Sequence, residues 1–514
     1  MRGRCNYRKT RIGVSIPLFL LFFVLFLGEK DFTRILSQTL LLSQFVPSLL
    51  RFFSDPGHIL SLGLVVILLI TFIGGRIYCS FLCPLGMLQD LISWISGKVR
   101  VKKRYGYRKS YQRIHLTILF CTFMMAALGY LTLLNLLDPY GLFGRISAHL
   151  FKFVLVVANN MAVSVLEIFD IFNLSIKRQH HVSTSILLLT AGSFGCLLVF
   201  SLRAGRLYCN SICPVGAVLG LVSRFSLYKI RIDKSSCTSC NLCEKMCKAG
   251  CIKSNEGDVD NTRCLACFDC LAICRSSSIG YKFRLFECYA GASPSLQRRK
   301  FLGSMATFFY TLTADPLALA STQESDLSNR GPITPPGSFG LQHFTSRCSG
   351  CHLCVSSCPT HALVPTLWKY GLSGLLQPEM DYRRGHCEIS CITCSSVCPT
   401  GAIMPVTQNE KKLIQIGVVA LNKELCVVHV KKKHCGACGE ACPTNAIFPV
   451  EKGRVLFPDI NNSYCIGCGG CEQACPTFPK SIKVTANSVH LKAEVYVPPE
   501  LPVLDMEVKS DFPF

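Results

Sequence analysis

The chain has 514 residues, half of them hydrophobic, a mean hydropathy of +0.36 and 33 cysteines. This length allows several domains and excludes a small secreted disulfide scaffold, which would be short and loop-rich. The net charge of +23 is lopsided. Residues 1–320 carry +22 and residues 321–514 carry +1, so the excess flanks the apolar segments, as on the cytoplasmic side of membrane helices, and argues against nucleic-acid binding.

Four apolar runs, at 12–28, 59–78, 114–135 and 185–202, approach the ~20 residues a bilayer requires. Basic clusters fall before the first run (Arg2, Arg4, Arg8, Lys9, Arg11), between the second and third (Lys98 to Arg113) and after the fourth (Arg224, Lys229, Arg231, Lys234). An even number of spans between clusters places all three on one face, so four spans are expected. Two further apolar stretches, 32–53 and 146–172, then read as helices at the outer interface or folded back into the bundle.

An internal repeat lies within this half. Gly75-Arg76-Ile77-Tyr78-Cys79 continues to Cys83-Pro84-Leu85-Gly86, and Gly205-Arg206-Leu207-Tyr208-Cys209 continues to Cys213-Pro214-Val215-Gly216. The shared pattern is GRxYCxxxCPxG, offset by 130 residues. Each copy closes a span running inward, which predicts a pseudo-two-fold axis along the membrane normal. CxxxC spacing places two sulfurs on one helical face, and the following proline interrupts the helix. Cys79, Cys83, Cys209 and Cys213 are therefore candidates for an additional metal or cluster, or for redox thiols; packing of buried cysteines is the alternative. His115, Asp138, Arg145 and His149 sit at span ends, where they are candidates to serve in quinol deprotonation; each has an ordinary structural role as its alternative.

From residue 231 onward the cysteines follow one theme. A [4Fe–4S] cluster takes four thiolates, and the run C-x2-C-x2-C-x3-C gives three to one cluster and the fourth to its partner. The first pair of runs predicts one cluster on Cys237, Cys240, Cys243 and Cys274 and another on Cys264, Cys267, Cys270 and Cys247. Lys248 and Arg275 replace the usual prolines, and a cation there would favour the reduced cluster. Cys251 and Cys288 are left over. The second pair predicts Cys348, Cys351, Cys354 with Cys398, and Cys387, Cys391, Cys394 with Cys358. The third predicts Cys426, Cys435, Cys438 with Cys475, and Cys465, Cys468, Cys471 with Cys442. All 16 cysteines after residue 320 fall in these runs. Zinc knuckles would leave the third cysteine of each run unexplained. Six [4Fe–4S] clusters are expected.

Between the cluster blocks stands Gln297-Arg298-Arg299-Lys300-Phe301-Leu302, then a short apolar stretch and Ala318-Leu319-Ala320. This pattern resembles a twin-arginine export signal with a peptidase site; a basic linker entering a helix is the plainer reading. Export of a folded, loaded cluster domain would place residues from about 321 in the periplasm.

The expected architecture is an α-helical membrane bundle of four spans with a two-fold repeat, joined to α+β bacterial dicluster ferredoxin-like domains. The divisions are a membrane module (1–230), a cytoplasmic two-cluster domain (231–290), a signal or anchor (291–320), a linker (321–345), a periplasmic four-cluster domain (346–485) and a tail (486–514).

Residues 1–290 resemble the NapH type of membrane ferredoxin, on both CxxxCP elements and the first cysteine pair. Residues 297–485 resemble the NapG/MauM type, on the twin-arginine leader and four cluster motifs. The resemblance implies a quinol dehydrogenase-type electron-transfer subunit of the bacterial inner membrane. Its partners would be the bilayer, quinol and a periplasmic redox protein, as in a nitrate reductase-like system. A second class of function is an electron-donating maturation factor for a metalloenzyme, with the CxxxCP thiols as its working site.

Overall fold

The computed structural model describes residues 2–27, 40–41, 43–54, 57, 61–98, 105–109, 111–170, 175–177, 182–283 and 331–497. The twin-arginine-like segment, the Ala318–Ala320 site, Cys288 and residues 498–514 lie outside them. Among the described residues three helices are long and apolar enough to cross a membrane: Tyr7–Leu27, Pro139–Glu167 and Thr184–Ala204. The first and last fall on expected spans. The expected spans at 59–78 and 114–135 form shorter helices, Leu62–Gly74 and Gln112–Ala127. At 1.5 Å per residue these reach about 20 and 24 Å, short of the ~30 Å hydrocarbon layer. Gly75 ends the first of them at φ +78°, a left-handed conformation that glycine adopts without steric cost.

The stretch at 146–172, expected at the outer interface or folded back into the bundle, forms the second half of a long helix that starts at Pro139. Asp138 caps it by accepting from the Tyr140 and Gly141 N–H groups (3.2 and 2.7 Å), and Pro139 occupies its first position. A π turn at Ser147–Phe151 carries it on into Lys152–Glu167.

Four helices, with the segments that flank them, link two cysteine-rich domains, residues 228–283 and 331–497. Helix Arg2–Leu27 sets Arg8 and Arg11 beside Asp269 (3.2 and 3.7 Å), and at its other end Phe26 packs against Gly144 next to Cys351. The Gly74 carbonyl accepts from Tyr281 Oη (2.8 Å) at the first domain, while the preceding helix Phe45–Ser54 places Arg51 against Gly401 and Met404 of the second. Helix Gln112–Ala127 follows Arg108, whose N–H donates to the Gly250 carbonyl (3.2 Å), and leads to Thr132, bonded to Leu372. In helix Thr184–Ala204, Ile186 packs with Leu375 and Leu376, and just beyond its far end the Arg206 N–H donates to Lys248 (3.1 Å). Between these ends the outward faces expose Leu20, Leu69, Phe120 and Leu188, an apolar belt suited to lipid.

The first cluster-bearing domain begins with β1 (Tyr228–Ile232), slightly before the expected boundary. β1 pairs antiparallel with β4 (Ile279–Phe283), and β2 (Ile252–Lys253) pairs with β3 (Asp258–Val259). The second domain has two halves. One carries β5 (Leu363–Pro365) paired with β6 (Pro378–Met380). In the other, β7 (Ile414–Leu421) pairs with β10 (Ile482–Lys492) around the hairpin of β8 (Ile447–Lys452) and β9 (Val455–Ile460).

Two expected boundaries shift. The linker was expected to include residues 331–345, yet Ile333, Thr334 and Ser338 are buried, and Gly340 bridges Val489. The tail was expected from 486, yet β10 runs to Lys492 because it is the partner strand of β7. In both cases the local composition is loop-like and tertiary pairing decides.

One apolar core joins Phe22, Leu25, Phe26, Tyr140 and Phe143 of the helices to Leu265, Phe268 and Ile279 of the first domain and to Leu353 and Val397 of the second. Gly144 is a tight point in it: a Cβ there would lie 2.4 Å from the Cys351 carbonyl oxygen and 2.7 Å from the Phe26 ring. Gly144→Val should therefore destabilise the docked second domain by about 1–3 kcal/mol. Amide exchange at residues 349–353 should accelerate; unchanged protection would contradict this packing.

Candidate metal centres

The ligand loops have a shared backbone signature. In the four runs with unbroken x2–x2 spacing, the residues on either side of the second cysteine have positive φ: Ser239 and Asn241, Ala266 and Phe268, Gly350 and His352, Gly467 and Gly469. A left-handed turn on each side curls the loop so that successive sulfurs face one interior. Phe268 and His352 accept this conformation at a cost of roughly 1–2 kcal/mol each. A short helix then presents the third cysteine, as in Leu242–Met246 and Leu353–Ser357.

The structure brings the crossed sets together. Cys237, Cys240, Cys243 and Cys274 line one hollow. Cys387, Cys391, Cys394 and Cys358 line a second, and Cys426, Cys435, Cys438 and Cys475 a third. The other three sets show in the electrostatics of their buried thiols. Burial pushes the Cys270 thiol up, and Cys267, Cys264 and Cys247 push it further. Cys354 is raised by burial and then by Cys348, Cys351 and Cys398. Cys471 is raised by burial and then by Cys468, Cys465 and Cys442. Among the described residues no three His, Cys, Asp or Glu side chains converge on a single-ion site. Four thiols around an apolar hollow fit a cubane, with one thiolate for each iron.

Hydroxyl groups meet the fourth cysteine of five of the six runs, Cys247 being the exception. Thr360, Thr400, Thr444 and Thr477 place Oγ1 3.7, 3.8, 3.7 and 3.2 Å from the sulfurs of Cys358, Cys398, Cys442 and Cys475. Ser481 Oγ adds a contact at 3.2 Å to Cys475. In the first domain Ser276 and Ser278 take this part at Cys274 (3.6 and 3.3 Å). The Pro-Thr dipeptide was visible in the sequence; the role of its threonine was not. Lys411 was missed altogether: its Nζ donates to the Glu388 carbonyl (2.5 Å) and to that of Cys391, stapling the x3 loop.

Lys248 serves carboxylates as well as a cysteine run: its Nζ bridges Asp90 (3.2 Å) and Asp269 (3.4 Å), and its charge also acts on the Cys267 thiol. Burial alone would raise the Asp90 carboxyl, but Arg206, Lys248 and Arg11 hold it well below the usual carboxylate range. This network locks the first cluster domain to the helices. Cys251 is buried with its sulfur 3.6 Å from Cys247.

The CxxxCP elements depart from a single helical face. Cys79 lies in the one-turn helix Tyr78–Phe81, and Cys83 precedes a new helix, Pro84–Lys98. The second copy does the same with Leu207–Ser211 and Pro214–Ser223, where Cys213 Sγ accepts from the Gly216 N–H (3.3 Å). Proline starts the second helix rather than kinking a first. The two copies exchange arginines. Arg76 Nη2 donates to the Cys209 carbonyl oxygen (2.9 Å), and Arg206 Nη1 donates to that of Cys79. Gly86 and Gly216 make room, since a Cβ at either would strike the same carbonyl oxygens.

The four candidate quinol groups have structural partners. His115 Nε2 lies 2.8 Å from the Cys213 carbonyl oxygen, and Asp138 is the helix cap. Arg145 donates to the Gly350 and Leu136 carbonyls (3.0 and 3.3 Å). His149 Nε2 is 2.6 Å from His352 Nδ1, and Lys152 donates to Ser356 (2.6 Å). Arg145, His149 and Lys152 thus seat the second cluster domain.

Residues 57–102 and 187–233 each match a family described as a 4Fe-4S binding domain, and each match contains one GRxYCxxxCPxG copy. Residues 347–403 and 431–478 match families described as 4Fe-4S dicluster domains. The pair at 237–274 lies between these matches. Relatives include the methylamine utilization ferredoxin-type protein MauN of Paracoccus denitrificans, 25% identical over 186 residues, covering 36% of this chain and 52% of that one. The putative electron transport protein YccM of Escherichia coli is 26% identical over 215 residues, covering 42% and 53%. The ferredoxin-type protein NapH of Haemophilus influenzae is 21% identical over 229 residues, covering 43% and 67%. The chain spans about half the length of MauN and YccM. No solved structure matches. Ferredoxin domains of the 4Fe–4S kind beside apolar helices support a membrane electron-transfer role.

Crossed ligation has a sharp signature. Cys398→Ser should remove about four irons from the site of Cys348, Cys351 and Cys354. The site of its own run, Cys387, Cys391 and Cys394, should keep its EPR signal. Loss of the latter signal instead would mean uncrossed ligation. Thr477→Val with Ser481→Ala removes two hydrogen bonds to one ligand sulfur. The potential of that cluster should fall by tens of millivolts, on the order of 1 kcal/mol per lost bond, as read by redox-poised EPR.

Proposed function

We propose that this chain relays electrons through six [4Fe–4S] clusters, from quinol in the bacterial inner membrane to a periplasmic redox partner such as a reductase. The observation that carries the reading is the continuous apolar core that ties two cluster-bearing domains to opposite ends of one helical bundle. An electron carrier confined to one face would need no such arrangement.

A bound [4Fe–4S] cluster supplies a one-electron couple at each site. The protein's own groups hold the sites in series. Cys354 packs beside Cys394, and the Cys387 N–H donates to the Cys468 carbonyl (2.8 Å), so three sites of the second domain are neighbours. The hydroxyls on the fourth cysteines and the Lys411 ammonium favour added negative charge and so favour reduction. Apolar burial of the ligand sulfurs keeps water from the couple.

In this reading four helices cross the bilayer, two of them short, while Pro139–Glu167, although long enough to cross, lies against the domain of residues 331–497 through Arg145, His149 and Lys152. The repeat copies form a pseudo-dimer joined by the exchanged arginines. The domain of residues 228–283 is cytoplasmic, in keeping with the basic side chains Arg8, Arg11 and Lys248 gathered there. The domain of residues 331–497 is periplasmic and corresponds to a NapG-type partner joined to a NapH-type module, with residues 297–302 as the export signal. Relatives named for methylamine utilization, electron transport and a ferredoxin-type role share only part of this chain. The acceptor is then set by the partner rather than by the shared stretch.

The alternative, a maturation factor working through the CxxxCP thiols, calls for accessible sulfurs. Cys79, Cys83, Cys209 and Cys213 are instead only 3–4% exposed. In a deletion strain the relay reading expects the terminal reductase to be fully metal-loaded but starved of electrons. A metal-deficient reductase would favour maturation.

Anaerobically purified full-length protein, mixed with a reduced menaquinone analogue, should bleach its cluster absorption. Intact clusters that stay oxidised would overturn quinol as the donor.

A further inference from the structure

Among the described residues three strand pairs are hairpins, and their connections differ in length. Residues 254–257 join β2 to β3, and residues 453–454 join β8 to β9. Between β5 and β6 the connection runs over residues 366–377, with a 3-10 turn at Gly371–Gly374. A hairpin closes on two residues, so the added length serves something other than strand pairing. Its composition is apolar: four leucines, one tryptophan, one lysine and no carboxylate.

This loop is seated on the helix ends. Leu375 and Leu376 are buried with Ile186, near the start of helix Thr184–Ala204. Asn135 Nδ2 donates to the Leu375 carbonyl (3.3 Å), and Thr132, just past helix Gln112–Ala127, bonds that of Leu372. The tip stays bare. Trp368 and Leu372 are each 61% exposed and share one turn, closed by the Gly371 N–H on the Trp368 carbonyl (2.9 Å). Leu128, at the adjoining helix end, is 65% exposed. Lys369 pairs with Glu379, so the tip carries no net charge. Single exposed leucines are ordinary, but this group continues the apolar belt of the helices. The chain's other tryptophan, Trp94, lies four residues past Asp90, which pairs with Lys248 of the first domain. Lys98 Nζ stands 4.2 Å from its ring centre. The two tryptophans therefore belong to opposite ends of the bundle, each with a lysine nearby, as in the aromatic belts of two lipid–water interfaces.

We propose that residues 366–377 form a membrane-dipping loop, with Trp368 and Leu372 lodged among the lipids of the leaflet nearest the domain of residues 331–497. The inference rests on the reading that the helices cross the bilayer, and adds that the second cluster domain itself binds lipid. Lipid, rather than a protein partner, is the occupant because the patch is uncharged and continuous with the helix faces that lipid covers. The seating also sets the depth of one cluster site. His352 Nε2 lies 2.7 Å from the Leu376 carbonyl oxygen, and Gln377 Nε2 donates to the Cys348 carbonyl (3.0 Å). Through these bonds the loop holds the ligand loop of Cys348, Cys351 and Cys354 at headgroup level, where a membrane quinol can approach it.

The test uses full-length Trp94→Phe protein, in which Trp368 is the sole tryptophan, in vesicles of phosphatidylcholine and phosphatidylglycerol. Phosphatidylcholine brominated near the headgroup end of its chains should quench Trp368 emission about two-fold relative to unbrominated lipid, and bromine near the chain ends should quench it less. Leu372→Glu should weaken the quenching and shift the emission to the red; unchanged quenching would contradict the lodged tip. Should Trp94→Phe lose its clusters, the difference between wild type and Trp368→Phe gives the same reading. Equal emission in brominated and plain lipid, from protein that still floats with the vesicles at alkaline pH, would overturn the proposal and leave the membrane relay standing. Iodide then separates a tip in water, which it quenches, from a tip covered by protein, which it does not; both outcomes count against lipid. Protein that no longer floats with the vesicles would remove both readings.

Discussion

Each set of four gathered thiols takes three sulfurs from one loop and its fourth from a neighbouring loop, and that exchange constrains everything built around it. A loop of three cysteines is an incomplete site until its partner loop docks. Cys247 belongs by sequence to one run and by position to the other, and Cys274 reverses the arrangement. The strand pairs β1–β4 and β7–β10 close around these exchanges, fixing how far apart two runs sit. Metal binding and folding are then linked, since four thiolates meet only in the native topology. The left-handed residues beside the second cysteine, the threonine after the fourth and the Lys411 staple all serve that geometry.

A similar exchange, made with arginines, organises the membrane half. Every fixed letter of GRxYCxxxCPxG has a physical task. The first glycine ends the incoming helix with a left-handed turn, and the arginine crosses to the other copy's cysteine carbonyl. The tyrosine reaches the far side of the module, toward Gln44 in one copy and Leu137 in the other. Proline starts the outgoing helix, and the last glycine clears space for the carbonyl that the arginine holds. Two copies so joined bury all four CxxxCP thiols.

Charge does different work at the two ends of the bundle. At the first domain, Asp90 and Asp269 collect Arg8, Arg11, Lys248 and Arg206 into a network that spends basic residues on holding the domain in place. At the second domain the seat is made of neutral and backbone contacts: Arg145 to Gly350, His149 to His352, Lys152 to Ser356, and Gly144 against Cys351. Buried docking of this kind keeps both domains within reach of the helices.

The sequence by itself determined the cluster loops, their pairing and the repeat, because cysteine spacing reports ligand geometry directly and a repeated motif needs no tertiary information to be seen. It also fixed the helices Tyr7–Leu27 and Thr184–Ala204, whose apolar runs are long enough to be read locally. Tertiary structure decided the rest. The long helix from Pro139 depends on an aspartate cap and a π turn that hydropathy does not register. The order of residues 331–340 and 486–492 comes from pairing with distant strands, although their composition reads as linker and tail. Lys248 faces Asp90 only because two domains meet there, and Arg76 reaches the Cys209 carbonyl only because two copies 130 residues apart pack face to face. Spacing along the chain encodes which atoms a loop can offer; which charges and thiols share one enclosed space is settled by packing between segments remote in sequence.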